Sequence, residues 1–88
     1  MSDRLDRIRS ALASLEPVEL DLVDESHKHA GHEGARDGRG HFRARIVSAQ
    51  FAGRPPLARH RLVYAALGEL MNTDIHAFAI DARAPNEA

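Results

Sequence analysis

Two stretches of apolar/polar alternation follow one another in this chain with no helical period between them. That succession constrains the fold more than any other feature. Val18, Leu20 and Leu22 alternate with Glu19 and Asp21, and Phe42, Ala44 and Ile46 alternate with His41, Arg43 and Arg45. Each stretch reads as a half-buried strand. Strands joined in sequence without a crossover helix pair antiparallel. Glu19 and Asp21 are therefore expected beside Arg43 and Arg45 on the outer face, as modest cross-strand ion pairs. A third strand, Ile75–Asp81, is reached only through helical sequence, and a helical crossover makes it parallel to the second and right-handed.

Helical segments complete the pattern. Leu5, Ile8, Leu12 and Leu15 recur at spacings of 3, 4 and 3. That places one apolar face on a helix over residues 3–15, with Ser2 as its N-cap and Pro17 stopping it by Glu16. Gly53-Arg54-Pro55-Pro56 is a turn, and a helical segment is expected to begin near Pro56. The main helix is expected over Arg61–Met71, with Leu62, Val63, Ala66, Leu67 and Leu70 facing the core and Asn72 in a left-handed cap. The order αββααβ predicts an α+β domain: a three-stranded mixed sheet with helices on one face. The domain is expected over residues 1–84, with 85–88 as a frayed tail. At 88 residues, 43% hydrophobic and 28% charged, one small globular core is all the chain can build. No apolar run approaches the roughly 20 residues of a membrane span. No apolar segment follows Met1–Arg4, so neither a signal peptide nor a membrane location is expected, and the cytoplasm is.

The chemistry available is narrow. The chain has six histidines and no cysteine, which excludes a disulfide framework, a redox dithiol and a cysteine nucleophile. Metal chemistry would have to run through imidazoles, with any thiolate borrowed from elsewhere. Residues 24–40 form a long loop for so small a domain. They hold four of the six glycines together with His27, His29 and His32, and His41 opens the next strand. The H-x-H and H-x-x-H spacings can converge, yet a short loop without cysteine rarely completes a structural zinc site, and polar loop residues are the simpler reading. His60, between Arg59 and Arg61 at a helix start, reads as a capping or core-edge residue. His76, at the start of an apolar strand, reads on pattern alone as a boundary residue. No nucleophile–base pair or apolar carboxylate pair is present, so no enzyme is expected. The net charge of −1 argues against a strongly basic nucleic-acid binder. Even so, no acid lies between Asp37 and Glu69, an interval that contains Arg43, Arg45, Arg54, Arg59 and Arg61. These could solvate the sheet or meet phosphates or an acidic partner.

Several blocks resemble the BolA family: Arg59-His60-Arg61-Leu62-Val63-Tyr64 continuing to Leu70, Ile75-His76-Ala77-Phe78-Ala79-Ile80, Asp24-Glu25-Ser26, Gly40-His41-Phe42, and Val47-Ser48-x-x-Phe51-x-Gly53. The resemblance spans about Leu5 to Ala84. It implies a fold like the type II KH domain and partnership with a monothiol glutaredoxin. The pair shares a bridging [2Fe–2S] cluster, in iron–sulfur trafficking or iron homeostasis. The BolA-like side gives two histidines, or a cysteine and a histidine; the glutaredoxin cysteine and a glutathione thiolate complete the set. Carried onto this sequence, the ligand of the I-H-A block is His76 and the loop ligand is His29. His60 matches a supporting site residue. The loop here is longer than the family pattern, so His27 and His32 are alternates to His29. The chain also ends at Pro85–Ala88, where many relatives continue into a final helix.

A KH-like fold also raises a DNA-binding regulator as the alternative, with the five arginines as contacts. A KH domain clamps the nucleic-acid backbone with a G-x-x-G loop between its core helices. Here that junction is expected at Leu57-Ala58-Arg59-His60, without the motif. The G-x-x-G at Gly31–Gly34 lies in the inter-strand loop.

Overall fold

The computed structural model describes residues 4–26 and 40–88. Helix α1 (Arg4–Leu12) tightens into a 3-10 turn over Ala13–Leu15 and ends at Glu16, in the left-handed region at φ 51°. Pro17 follows and cannot continue a helix. Strands β1 (Glu19–Asp24) and β2 (Gly40–Val47) pair antiparallel, and β3 (Ile75–Arg83) lies parallel to β2, giving the sheet order β1-β2-β3. The predicted mixed sheet is thus present, with β2 central. Its core face carries Phe42, Ala44, Ile46, Ile75 and Phe78, covered by Ile8, Leu12 and Leu15 from the first helical segment and by Val63 and Leu67. The opposite face, with Val23, Arg43, Ala79 and Asp81, is bare among the described residues.

The link from β2 to the helices explains one of the sequence blocks. Ser48 is fully buried; its hydroxyl donates to the Leu15 carbonyl (2.6 Å) and accepts from the Gln50 amide (3.1 Å), capping a 3-10 turn over Ala49–Phe51. That turn drives Phe51 into the core, and Gly53 at φ 74° completes the reversal, a backbone state that glycine adopts without steric cost. V-S-x-x-F-x-G is an architectural device.

The helical region departs from expectation. Instead of a short segment and a main helix from Arg61, one continuous helix α2 runs from Pro56 to Leu67. It breaks at Gly68, at φ 53°, and the chain re-forms one short helix, α3 (Leu70–Thr73). Asn72 sits inside α3 and not in a left-handed cap: Gly68, lacking a Cβ, takes the positive φ at lower cost. The predicted core face holds, with Val63 and Leu67 buried and Leu62, Ala66 and Leu70 packed against the core. The predicted frayed tail is instead a 3-10 turn over Pro85–Glu87, tied down by Arg59. Ser2, His27, His29, His32 and Gly31–Gly34 lie outside the described residues.

Candidate functional site

In a parallel pair both strands start at one end of the sheet, and the site is built there. Gly40 lies opposite Ile75 but His41 lies opposite Ala77, so β3 carries one extra residue, His76. This is a bulge, a device that re-aims a side chain. Its signature is that Ile75 and Phe78, three apart, are both buried while His76 and Ala77 between them are exposed. Strict alternation would put the two apolar residues on opposite faces. The bulge brings the His76 ring to His41, with centroids 5.1 Å apart and planes inclined at 49°. His76 is exposed; His41 is half-buried, its Nε2 shielded from solvent.

Asp24-Glu25-Ser26 fixes the other side. The Asp24 carboxylate accepts from the Ser26 amide (2.8 Å), the Ser26 hydroxyl accepts from the His41 amide (3.0 Å), and the Glu25 amide donates to the His41 carbonyl (2.8 Å). Both main-chain groups of His41 are thereby held. Ser26 and Gly40 are the two ends of the connection that contains His27, His29 and His32, and both lie against His41.

Two residues before His76 sits Asp74, only 9% exposed. Its Oδ2 accepts from Arg7 Nε (3.0 Å) and Nη2, its Oδ1 accepts from the Thr73 hydroxyl (2.7 Å), and Arg4 Nε lies 3.7 Å away. Hydrogen bonding from Arg7, then from Thr73, holds this carboxyl below the usual carboxylate range. The Asp74 carbonyl accepts from the Gly40 amide (2.9 Å), joining the two strand starts.

His60 does not join this group. It is the fifth residue of α2, directly after Arg59, whose Nη1 donates to the Ala82 carbonyl (3.1 Å). Between Ala82 and His76 run about 20 Å of strand at ~3.3 Å per residue. α2 thus begins at the far end of the sheet from His76 and runs back. The helix junction also moves, from Leu57–His60, which lie inside α2, to Gly68–Glu69, still without a G-x-x-G motif.

The arginines are heavily engaged. Arg45 pairs with Glu19 (2.7 Å) as expected, while Arg43 reaches Glu25 (3.2 Å) and not Asp21. Arg59 grips Glu87 with both terminal nitrogens (2.6 and 2.8 Å). Arg54 donates to the Gln50 carbonyl (2.9 Å), and Arg61 is exposed on α2. A depression of about 250 Å³ lies between Val23, Arg43, Arg45 and Ala79 on the bare face. Two participants escaped the sequence reading, His41 as the neighbour of His76 and Asp74 as the buried carboxylate two residues before it. The anomalous three-residue spacing of Ile75 and Phe78 was the signal that could have found the first.

Fold and site together define a small α+β domain of αββααβ order that presents a histidine pair at one end of a mixed sheet. The family model for "BolA-like protein" matches residues 12–87. Chloroplastic BOLA1 of Arabidopsis thaliana is 42% identical over 92 residues, covering 100% of this chain and 58% of that protein. The chain therefore spans little more than half the length of that relative. The solved BolA domain of SufE1 from Arabidopsis thaliana superposes with a TM-score of 0.85 at 41% identity, over 100% of this chain and 99% of that one. The protein of Escherichia coli (strain K12) named DNA-binding transcriptional regulator BolA is 40% identical over 76 residues, covering 85% of this chain and 70% of that protein. This chain belongs to the BolA-like family. Among the described residues no helix is long and apolar enough to cross a membrane.

Proposed function

We propose that this chain is an adaptor that partners a monothiol glutaredoxin and co-ligates a bridging [2Fe–2S] cluster through histidines, in iron–sulfur trafficking or iron homeostasis. One observation carries the reading: a bulge presents His76, exposed, 5.1 Å from the His41 ring, where the histidine-bearing segment leaves and rejoins the sheet. The donor set fits a shared site. The chain has imidazoles and no thiolate. It offers a partial set, to be completed by a partner's cysteine and glutathione. His76 supplies one ligand and His29 the second, with His27 and His32 as alternates. His41 forms the wall behind His76. When bound, a cluster with imidazole on one iron has a raised potential and proton-sensitive ligation. Splitting the ligands between two proteins leaves neither with a full set, which suits transfer. A reducing compartment such as the cytoplasm suits both partners' chemistry.

The test is reconstitution with a monothiol glutaredoxin, glutathione and iron, read by visible absorption and circular dichroism. His76→Ala is expected to abolish or strongly alter the mixed spectrum while the apo fold stays intact. His29→Ala is expected to weaken it less, because His27 or His32 can substitute. An unchanged spectrum and cluster lifetime in His76→Ala would make His76 a structural residue.

The name of the Escherichia coli relative supports a second reading, DNA binding. Of the five arginines, Arg43, Arg54 and Arg61 are exposed. Phosphates would have to compete with Glu19, Glu25 and Glu87 for Arg45, Arg43 and Arg59. Duplex affinity measured against salt decides: a steep negative slope of log affinity favours this reading, and absence of binding at about 0.15 M salt removes it.

A further inference from the structure

We infer that the ion pair between Arg7 of α1 and Asp74 is a positioning device for His76, coupling the first helix to the candidate ligand site; the inference rests on the proposed ligand role of His76. Three observations carry it. The first is the bulge. Bulges are rare in parallel ladders, and the extra residue is left outside the ladder, so its geometry must be held by its neighbours. Asp74 stands two residues before His76 and is tied from every side. Arg7 occupies one carboxylate oxygen, Thr73 the other, and the Asp74 carbonyl takes the Gly40 amide.

The second is burial. A carboxylate this enclosed stays charged only if it is paired and hydrogen-bonded, and both of its oxygens are. Its removal would take from Arg7 its carboxylate partner. The third is economy of connection. Arg4 and Arg7 lie one turn apart on α1, and α1 sits on the core face opposite the bare one. Through Asp74 the orientation of α1 reaches the bulge directly, and through Gly40 it reaches His41. A clamp serving stability alone could sit anywhere on the sheet, as Arg59–Glu87 does at the other end.

The full chain is compared as wild type, Arg7→Gln, Asp74→Asn, Arg7→Lys and, as a control at the far end, Glu87→Gln. Two readouts are taken under conditions where circular dichroism shows each variant folded. In the apo protein, nuclear Overhauser contacts between the His41 and His76 rings report the pairing. With glutaredoxin, glutathione and iron, visible circular dichroism reports the loaded site. Arg7→Gln and Asp74→Asn are expected to lose the inter-ring contacts and change the visible bands. Arg7→Lys is expected to retain much of both, and Glu87→Gln all of both. Wild-type ring contacts in folded Arg7→Gln and Asp74→Asn overturn the inference. Lost ring contacts with an unaltered loaded spectrum leave the clamp standing and overturn the ligand role of His76. Should Asp74→Asn fail to fold, Arg7→Gln, on a side chain 45% exposed, decides alone.

Discussion

At Gly40 a single added methyl group is too much. A Cβ built there would stand 2.5 Å from the Ser26 hydroxyl and 2.8 Å from the Phe42 ring. Neither neighbour can retreat, because Phe42 is core and the Ser26 oxygen is the acceptor for the His41 amide. Gly40→Ala is expected to cost about 1–3 kcal/mol, the usual range for overpacking, read as a shift in urea midpoint. It should also weaken the Ser26–His41 hydrogen bond, seen as faster exchange of the His41 amide. A variant with wild-type midpoint and exchange would show that the strand start yields freely. Sequence alone displayed the Gly40-His41-Phe42 block but not its reason, since Ser26 and Gly40 are brought together only by the β1–β2 register. The same limit hid His41: it lies 35 positions from His76, and only the parallel register plus a bulge closes that distance.

Among the elements, α2 covers the sheet through Val63 and Leu67, beside Ile8, Leu12 and Leu15 of the first helical segment. Leu67 is 2% exposed, one residue before the left-handed Gly68. Leu67→Ala is expected to cost about 2–4 kcal/mol, as for a buried leucine whose cavity only partly collapses, with a matching drop in urea midpoint at constant slope. A shift near zero would mean that this face of α2 does not hold the sheet. Periodicity made that face legible, and it made the alternation of β1 and β2 legible too. It failed at the helix ends for a local reason. Residues 56–60 have too little apolar character to show a helical period, so Pro56 marked a helix start but nothing showed that the segment runs unbroken into the apolar face beyond Arg61. Leu70 then continues the apolar face across Gly68, so the break was hidden as well. Backbone states at single residues, φ 53° at Gly68 and φ 51° at Glu16, decide where helices end, and hydrophobic spacing carries no record of them.

The whole molecule is fastened at two ends by carboxylates that grip arginines across the fold, Asp74 to Arg7 near the candidate site and Glu87 to Arg59 at the far end. The second fastening ties together the start of α2, the end of β3 and the last turn of the chain. Arg59 donates to the Arg54 carbonyl (2.8 Å), the Ala82 carbonyl (3.1 Å) and both Glu87 oxygens, while Glu87 also accepts from the Ala84 amide (3.0 Å). Nothing in residues 84–88 as a sequence suggested this, because a terminal Glu four residues past a strand has no periodic signature. The Arg59 hydrogen bonds, then the Ala84 amide, pull the Glu87 carboxyl down from 4.5 to about 2. A carboxyl whose folded value lies below its unfolded one stabilises the fold above the unfolded value and loses that contribution as pH falls through the folded value. The stabilisation is therefore complete above about pH 5 and drains away between the two values. Comparing Glu87→Gln with wild type isolates the effect from the other carboxylates. The urea midpoint of the variant is expected to lie below that of wild type at pH 6, with the gap closing steadily as pH approaches 2. A gap that stays constant across that range would place the stabilising role of residue 87 in packing, and not in its charge.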